Sequence, residues 1–172
     1  MKFLEKDLEE IIFKSPKKQL QERGLYVTGK LLRQKRIGNY GIADLIEFER
    51  PKKHEMIGPC KGAITVYELK QNKITMSAFL QGIGYIKGIK EYLKHRGYDP
   101  FNYHFRLVLI GNEIDINSQF AYLPEVISTD TCIDSHIDSE SNFSTSFYSY
   151  SYNYDGILFD EHDFYFLTNN GF

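Results

Sequence analysis

Apolar positions recur at helical spacing in two stretches and alternate with polar ones in several others. Leu4, Leu8, Ile11 and Ile12 predict a helix over residues 3–14, ended by Ser15-Pro16. Phe79, Ile83, Ile86, Ile89 and Leu93 predict a longer helix over 77–94, with Ser77 as its N-cap and Gly97 as its stop. Strands are expected over 25–36, 40–49 (YGIADLIEFE), 63–70 (AITVYELK) and 104–110 (HFRLVLI), and a fifth over 120–127. Gly38-Asn39 marks the first turn, and 50–62 read as a basic loop. Residues 128–153, rich in Ser, Asp and Tyr, read as a long loop, and 156–168 as a closing strand or hairpin. This order suits an α/β domain in which the first strands meander antiparallel and the second helix crosses over to the next strand.

Composition narrows the class. A length of 172 residues suits one domain: a core over 1–127, then an acidic Ser/Tyr-rich loop and closing β segment over 128–172. The hydrophobic fraction of 42% supports a real core. No apolar run is long enough to span a membrane, and the N-terminal stretch has no signal-peptide apolar core, so a cytoplasmic, intracellular protein with no membrane partner is expected. Cys60 and Cys132 then read as free thiols. The net charge of -2 conceals a division: every Lys and Arg lies at or before Arg106, giving +9 to residues 1–106 and -11 to the rest. A basic body suits a polyanionic partner, while the acidic tail reads either as a solvated face or as a segment that competes with that partner for the basic groove.

Charges inside apolar strands carry the chemistry. Alternation puts Ile42, Asp44, Ile46 and Phe48 on one face of the second strand, and Ile64, Val66, Glu68 and Lys70 on one face of the third. Adjacent strands can thus aim Asp44 and Glu68 at one spot, with Lys70 on the same side. A buried carboxylate is costly unless paired or bound to a metal. Mg²⁺ takes oxygen ligands at about 2.0–2.1 Å, and Asp44, Glu68 and the Leu69 carbonyl can supply them. Such an ion polarises a phosphate and lowers the pKa of water, and Lys70 can orient that water and offset transition-state charge. The plain alternative is a Glu68–Lys70 surface pair with Asp44 in a turn.

Four motifs in order extend the pattern. Residues 5–85 resemble the PD-(D/E)xK nuclease superfamily: a helix carrying Glu5 and Glu9, then GIAD (Gly41 to Asp44), ELK (Glu68 to Lys70) and a helix carrying Gln81 and Tyr85. The last pair matches the QxxxY element of the RecB-like branch, and the order and spacing are similar to the nuclease domain of mismatch-type endonucleases. Ala43 departs from the proline often found before the Asp. The resemblance implies a restriction-endonuclease-like mixed central β-sheet flanked by helices and a Mg²⁺ (or Mn²⁺) cofactor. Asp44 and Glu68 become metal ligands with the Leu69 carbonyl, Lys70 the catalytic lysine, and Glu5 the helix carboxylate, with Glu9 as its alternative one turn on. Gln81 and Tyr85, one helical turn apart, would lie near the substrate strand. Apart from the resemblance, Lys35 and Arg36 at the basic end of the first strand are read as further substrate-binding residues. Gly82, Gly84 and Gly88 suggest a close approach by a sheet or a phosphate backbone.

The expected activity is metal-dependent hydrolysis of DNA phosphodiesters, with RNA as a further substrate and a homodimer as a further assembly left open. The alternative is a catalytically inactive nucleic-acid-binding or protein-interaction module on the same fold. Cys132, Asp134, His136 and Asp138 lack the second ligand pair a zinc site usually has.

Overall fold

A computed structural model describes residues 4–50, 61–115, 143–154 and 156–162. The elements are α1 (Glu5–Lys14), α2 (Lys17–Glu22), β1 (Lys30–Arg36), β2 (Ile42–Glu49), β3 (Gly62–Leu69), β4 (Lys73–Ile74), α3 (Met76–His95), a 3₁₀ turn (Pro100–Asn102), β5 (Tyr103–Gly111), β6 (Glu113–Ile114), β7 (Phe143–Asn153) and β8 (Gly156–His162). Six strands form one mixed sheet in the order β1-β2-β3-β5-β7-β8, and β4 and β6 form a small parallel pair. The expected mixed α/β architecture, a central sheet flanked by helices, is present. β1, β2 and β3 run antiparallel, and α3 carries the chain over to β5, which lies parallel to β3.

Each face of the sheet holds its own core. Phe79, Ile86, Ile89 and Leu93 of α3 pack with Ile64, Val66, Phe105 and Leu107. Leu8 and Ile12 of α1, with Leu20 of α2, pack with Leu45, Tyr67 and Leu69 on the other side. β3 is buried along its whole length, as a central strand covered on both faces must be. Gly82 and Gly88 explain how closely α3 sits. A methyl group at Gly82 would overlap the buried Leu107 side chain, and one at Gly88 would meet Ile37 and Tyr40 of the β1–β2 hairpin. The approaching surfaces are the sheet and the hairpin; at Gly84 only ordinary contact with Tyr40, at 3.8 Å, would arise.

Several boundaries differ from the sequence expectation. Phe143–Asn153 is not part of a loop: it is β7, parallel to β5, with Phe147 facing one core and Tyr148 and Tyr150 the other. Its alternation of Tyr and Ser is period-two, but serine masked it. The first strand begins at Lys30 rather than residue 25, because the N–H groups of Thr28 and Gly29 go to the buried Glu47 carboxylate instead of a ladder. Tyr67 completes that carboxylate's partners with a hydroxyl bond of 2.5 Å. The longer helix starts at Met76 with Thr75 at the cap, so Ser77 lies in the first turn. Leu4, outside α1, is exposed, and α2 was not anticipated. Gly97 takes the left-handed conformation just past α3, as expected. The strand expected over 120–127, most of the 50–62 loop, residues 128–142, Cys60 and Cys132 lie outside the described residues. Among the described residues no helix is long and apolar enough to cross a membrane.

Gly82→Ala should destabilise the fold by about 1–3 kcal/mol, because Leu107 is enclosed and cannot yield. Gly84→Ala should be neutral or stabilising by up to about 1 kcal/mol, since helix propensity is gained without a clash. Denaturant unfolding of the two variants checks this; equal effects would show that α3 does not press on the sheet as described.

Candidate active site

The site forms where β2 and β3 part. The last pair of their ladder is Leu45–Tyr67, and beyond it the Asp44 carboxylate takes the place of a strand partner, its Oδ2 accepting the Leu69 N–H at 2.9 Å. The next amide, Lys70 N–H, points the other way and donates to Ile110 of β5 at 2.8 Å. The N–H and C=O of one strand residue face the same neighbour, so the Leu69 carbonyl is directed to the Asp44 side.

Glu68 is only 1% exposed. Its Oε1 accepts a 2.6 Å bond from Lys70 Nζ, and its Oε2, also buried, has no hydrogen-bond partner among the described residues. Burial pushes the Glu68 carboxyl up to about 7, with Asp44 adding to the rise and Lys70 restraining it. Burial also raises Asp44, against the opposing pull of the Leu69 amide and Lys70. For Lys70, burial acts downward, but the bond to Glu68 and the charges of Glu68, Glu5 and Asp44 outweigh it, and its pKa rises.

The residues that the sequence singles out are not all brought together. Asp44, Glu68, Leu69 and Lys70 come together. Gln81 and Tyr85 join them from α3: Gln81 Nε2 donates to the Tyr85 hydroxyl at 2.6 Å, and Tyr85 is raised by burial and by the nearby Glu68 and Asp44. Gly41, three residues before Asp44, runs beneath the Tyr85 ring in a left-handed conformation (φ 116°), where a side chain would be strained and crowded by the phenol. Glu5 stands at the rim and accepts the Gln71 N–H at 3.3 Å. Glu9, the alternative helix carboxylate, is buried and held by the side chains of Arg33 and Gln34. Lys35 and Arg36 are exposed and line a different, largely apolar cleft between the β1–β2 hairpin and the second half of α3.

Sequence reasoning did not find Tyr150, whose hydroxyl donates to the Gln71 carbonyl at 2.7 Å, so that the residue after Lys70 is held by its N–H to Glu5 and by its carbonyl to Tyr150. Its signal was the Tyr-Ser alternation of β7. Gln34 was also missed: it is the non-glycine residue of positive φ (49°) among the described residues, and nothing local marks it.

Among the described residues, no group of three or more His, Cys, Asp or Glu side chains is arranged to hold a metal. Mg²⁺, however, is commonly held by one or two carboxylates with the remaining positions filled by water. The Asp44 and Glu68 carboxylates, the latter with an oxygen that has no partner among the described residues, and the Leu69 carbonyl fit such an ion.

Without metal, raising the pH ionises Glu68 in a buried setting. Its folded pKa, about 7, lies above the ordinary 4.5, so its contribution to stability is full below pH 4.5 and is lost as pH rises to about 7. Metal-free Glu68→Gln should therefore match the parent near pH 4.5 and exceed it by about 1–2 kcal/mol at pH 8, the gain being limited because Lys70 loses its charged partner. Unfolding curves across this range test it; a pH-independent difference would contradict the burial of a titrating Glu68. No family model, curated protein or solved structure matches this chain.

Proposed function

We propose that the chain is a divalent-metal-dependent nuclease that hydrolyses DNA phosphodiester bonds from a PD-(D/E)xK-type site on a restriction-endonuclease-like core, acting in the cytoplasm. The observation that carries this reading is Glu68: a carboxylate inside the core, one oxygen bonded to Lys70 and the other buried without a partner among the described residues. A structural ion pair would satisfy both oxygens, whereas a ligand-binding carboxylate must keep one available.

Each acidic residue divides its work. Asp44 spends Oδ2 on the Leu69 amide, which fixes its orientation and leaves Oδ1 for a ligand. Glu68 spends Oε1 on Lys70 and offers Oε2. When bound, Mg²⁺ or Mn²⁺ would polarise the scissile phosphate and make water a better nucleophile at neutral pH. Lys70 keeps its proton, because the carboxylates around it favour the charged form, so it orients the attacking water and balances negative charge on the phosphorus. Gln81 and Tyr85 lie beside these groups and are suited to hold the strand in line. The basic body, +9 over residues 1–106, suits a polyanionic substrate.

The test is incubation of the full chain with single-stranded, duplex and branched DNA, and with RNA, in Mg²⁺, Mn²⁺, Ca²⁺ or EDTA. Cleavage should need Mg²⁺ or Mn²⁺, and Ca²⁺ should bind without supporting it. Asp44→Ala, Glu68→Ala and Lys70→Ala should each lower kcat by about a hundredfold or more, with folding intact. Gln81→Ala and Tyr85→Phe should act more weakly, chiefly on KM. Full activity in EDTA, or parental activity of Glu68→Ala, would overturn the reading.

A further inference from the structure

The β1–β2 ladder is interrupted once, beside Asp44. Arg33 pairs with Leu45 and Lys35 with Ala43, so the register sets Gln34 opposite Asp44, yet those two residues make no ladder pair. No residue is inserted; at the break Gln34 is left-handed, φ 49°, a conformation that costs a non-glycine residue energy. In an antiparallel pair such a residue turns its backbone away from its partner. A strained residue persists only when its surroundings hold it. Here they do: the Gln34 side chain donates to Glu9 Oε2 while Arg33 bonds the other oxygen, and Glu9 is buried at 4% exposure in the middle of α1. Gln34, Arg33, Glu9, Glu5 and Asp44 line one polar groove.

We propose that Gln34 is a positioning residue for Asp44, with Glu9 as its anchor. By holding β1 out of the ladder opposite Asp44, the left-handed Gln34 leaves that part of β2 free to part from β3, so that the Asp44 carboxylate, instead of a backbone group, takes up the Leu69 N–H. Glu9 is thereby a tether between α1 and β1 and not a ligand. α1, which carries Glu5, and the backbone at Asp44 are fixed by the same two bonds. The relevance to catalysis rests on the nuclease reading above; the positioning of Asp44 does not.

Two substitutions at one position isolate the backbone effect, because both remove the bond to Glu9. Glycine adopts the left-handed conformation freely, whereas valine resists it. The probe for Asp44 is the Leu69 amide in metal-free protein, followed by NMR chemical shift and hydrogen exchange, with the Lys70 amide, bonded to Ile110, as internal reference. Leu69 exchange should be at least about tenfold faster in Gln34→Val than in Gln34→Gly, with no such difference at Lys70. Mn²⁺ should bind Gln34→Val about tenfold more weakly than Gln34→Gly, as expected for a residue that orients a metal ligand. If valine is not tolerated, Gln34→Ala, which keeps the Cβ penalty, replaces it with the same ordering. Equal Leu69 behaviour in the folded Gly and Val (or Ala) variants overturns the proposal. If the parent binds no Mn²⁺ while the two variants show the Leu69 contrast, the nuclease reading falls and the positioning of Asp44 stands.

Discussion

A carboxylate buried at the end of the central strand is the constraint around which the site is arranged. β3 is enclosed by α3 on one face and α1 on the other, so Glu68 is taken out of water by the same packing that makes the core. An ionised carboxylate in that setting costs several kcal/mol unless something answers it. Lys70 answers one oxygen. It can do so because strand alternation returns the chain to the same side two residues later, where the sheet ends and the lysine can reach back. The other oxygen is unanswered among the described residues, and burial, with the Asp44 charge beside it, pushes the carboxyl up to about 7. A group so placed is poorly suited to stability and well suited to binding a cation.

The topology brings the remaining groups to that end of the sheet. Antiparallel pairing of β2 with β3 sets Asp44 across from Glu68, and the splay beyond Leu45–Tyr67 turns the Asp44 side chain to the Leu69 amide. The return to a parallel β5 requires a crossover, and α3 begins six residues after Lys70. Its first half therefore lies over the carboxyl end of β3, which is where Gln81 and Tyr85 meet the acidic pair. Gly41 and Gly82 let the hairpin and the sheet close on the helix without intervening side chains. Opposite α3, α1 contributes Glu5 to the rim and Glu9 to the anchor with Arg33 and Gln34.

The sequence by itself determined the parts that follow from local periodicity. Alternation placed Asp44, Glu68 and Lys70 on facing strands, helical spacing located α1 and α3, and the order of elements gave the antiparallel meander and the crossover. The sequence also pointed to close packing at α3 through its glycines, although it could not say what approached them. It misjudged β7, because serine and tyrosine give weak apolar contrast even when they alternate, and burial of Tyr148 and Tyr150 comes only from the neighbouring strands and helix. Tertiary structure alone decided which helix carboxylate faces the site, since Glu9 is claimed by residues 24 and 25 positions away. It alone supplied Tyr150, 79 residues from the Gln71 carbonyl it holds, and the left-handed turn of Gln34. Spacing along a strand or helix is a property of a few consecutive residues and can be read directly. Which distant side chains satisfy a buried charge depends on how the sheet and its two layers of helices close, and no local pattern encodes that.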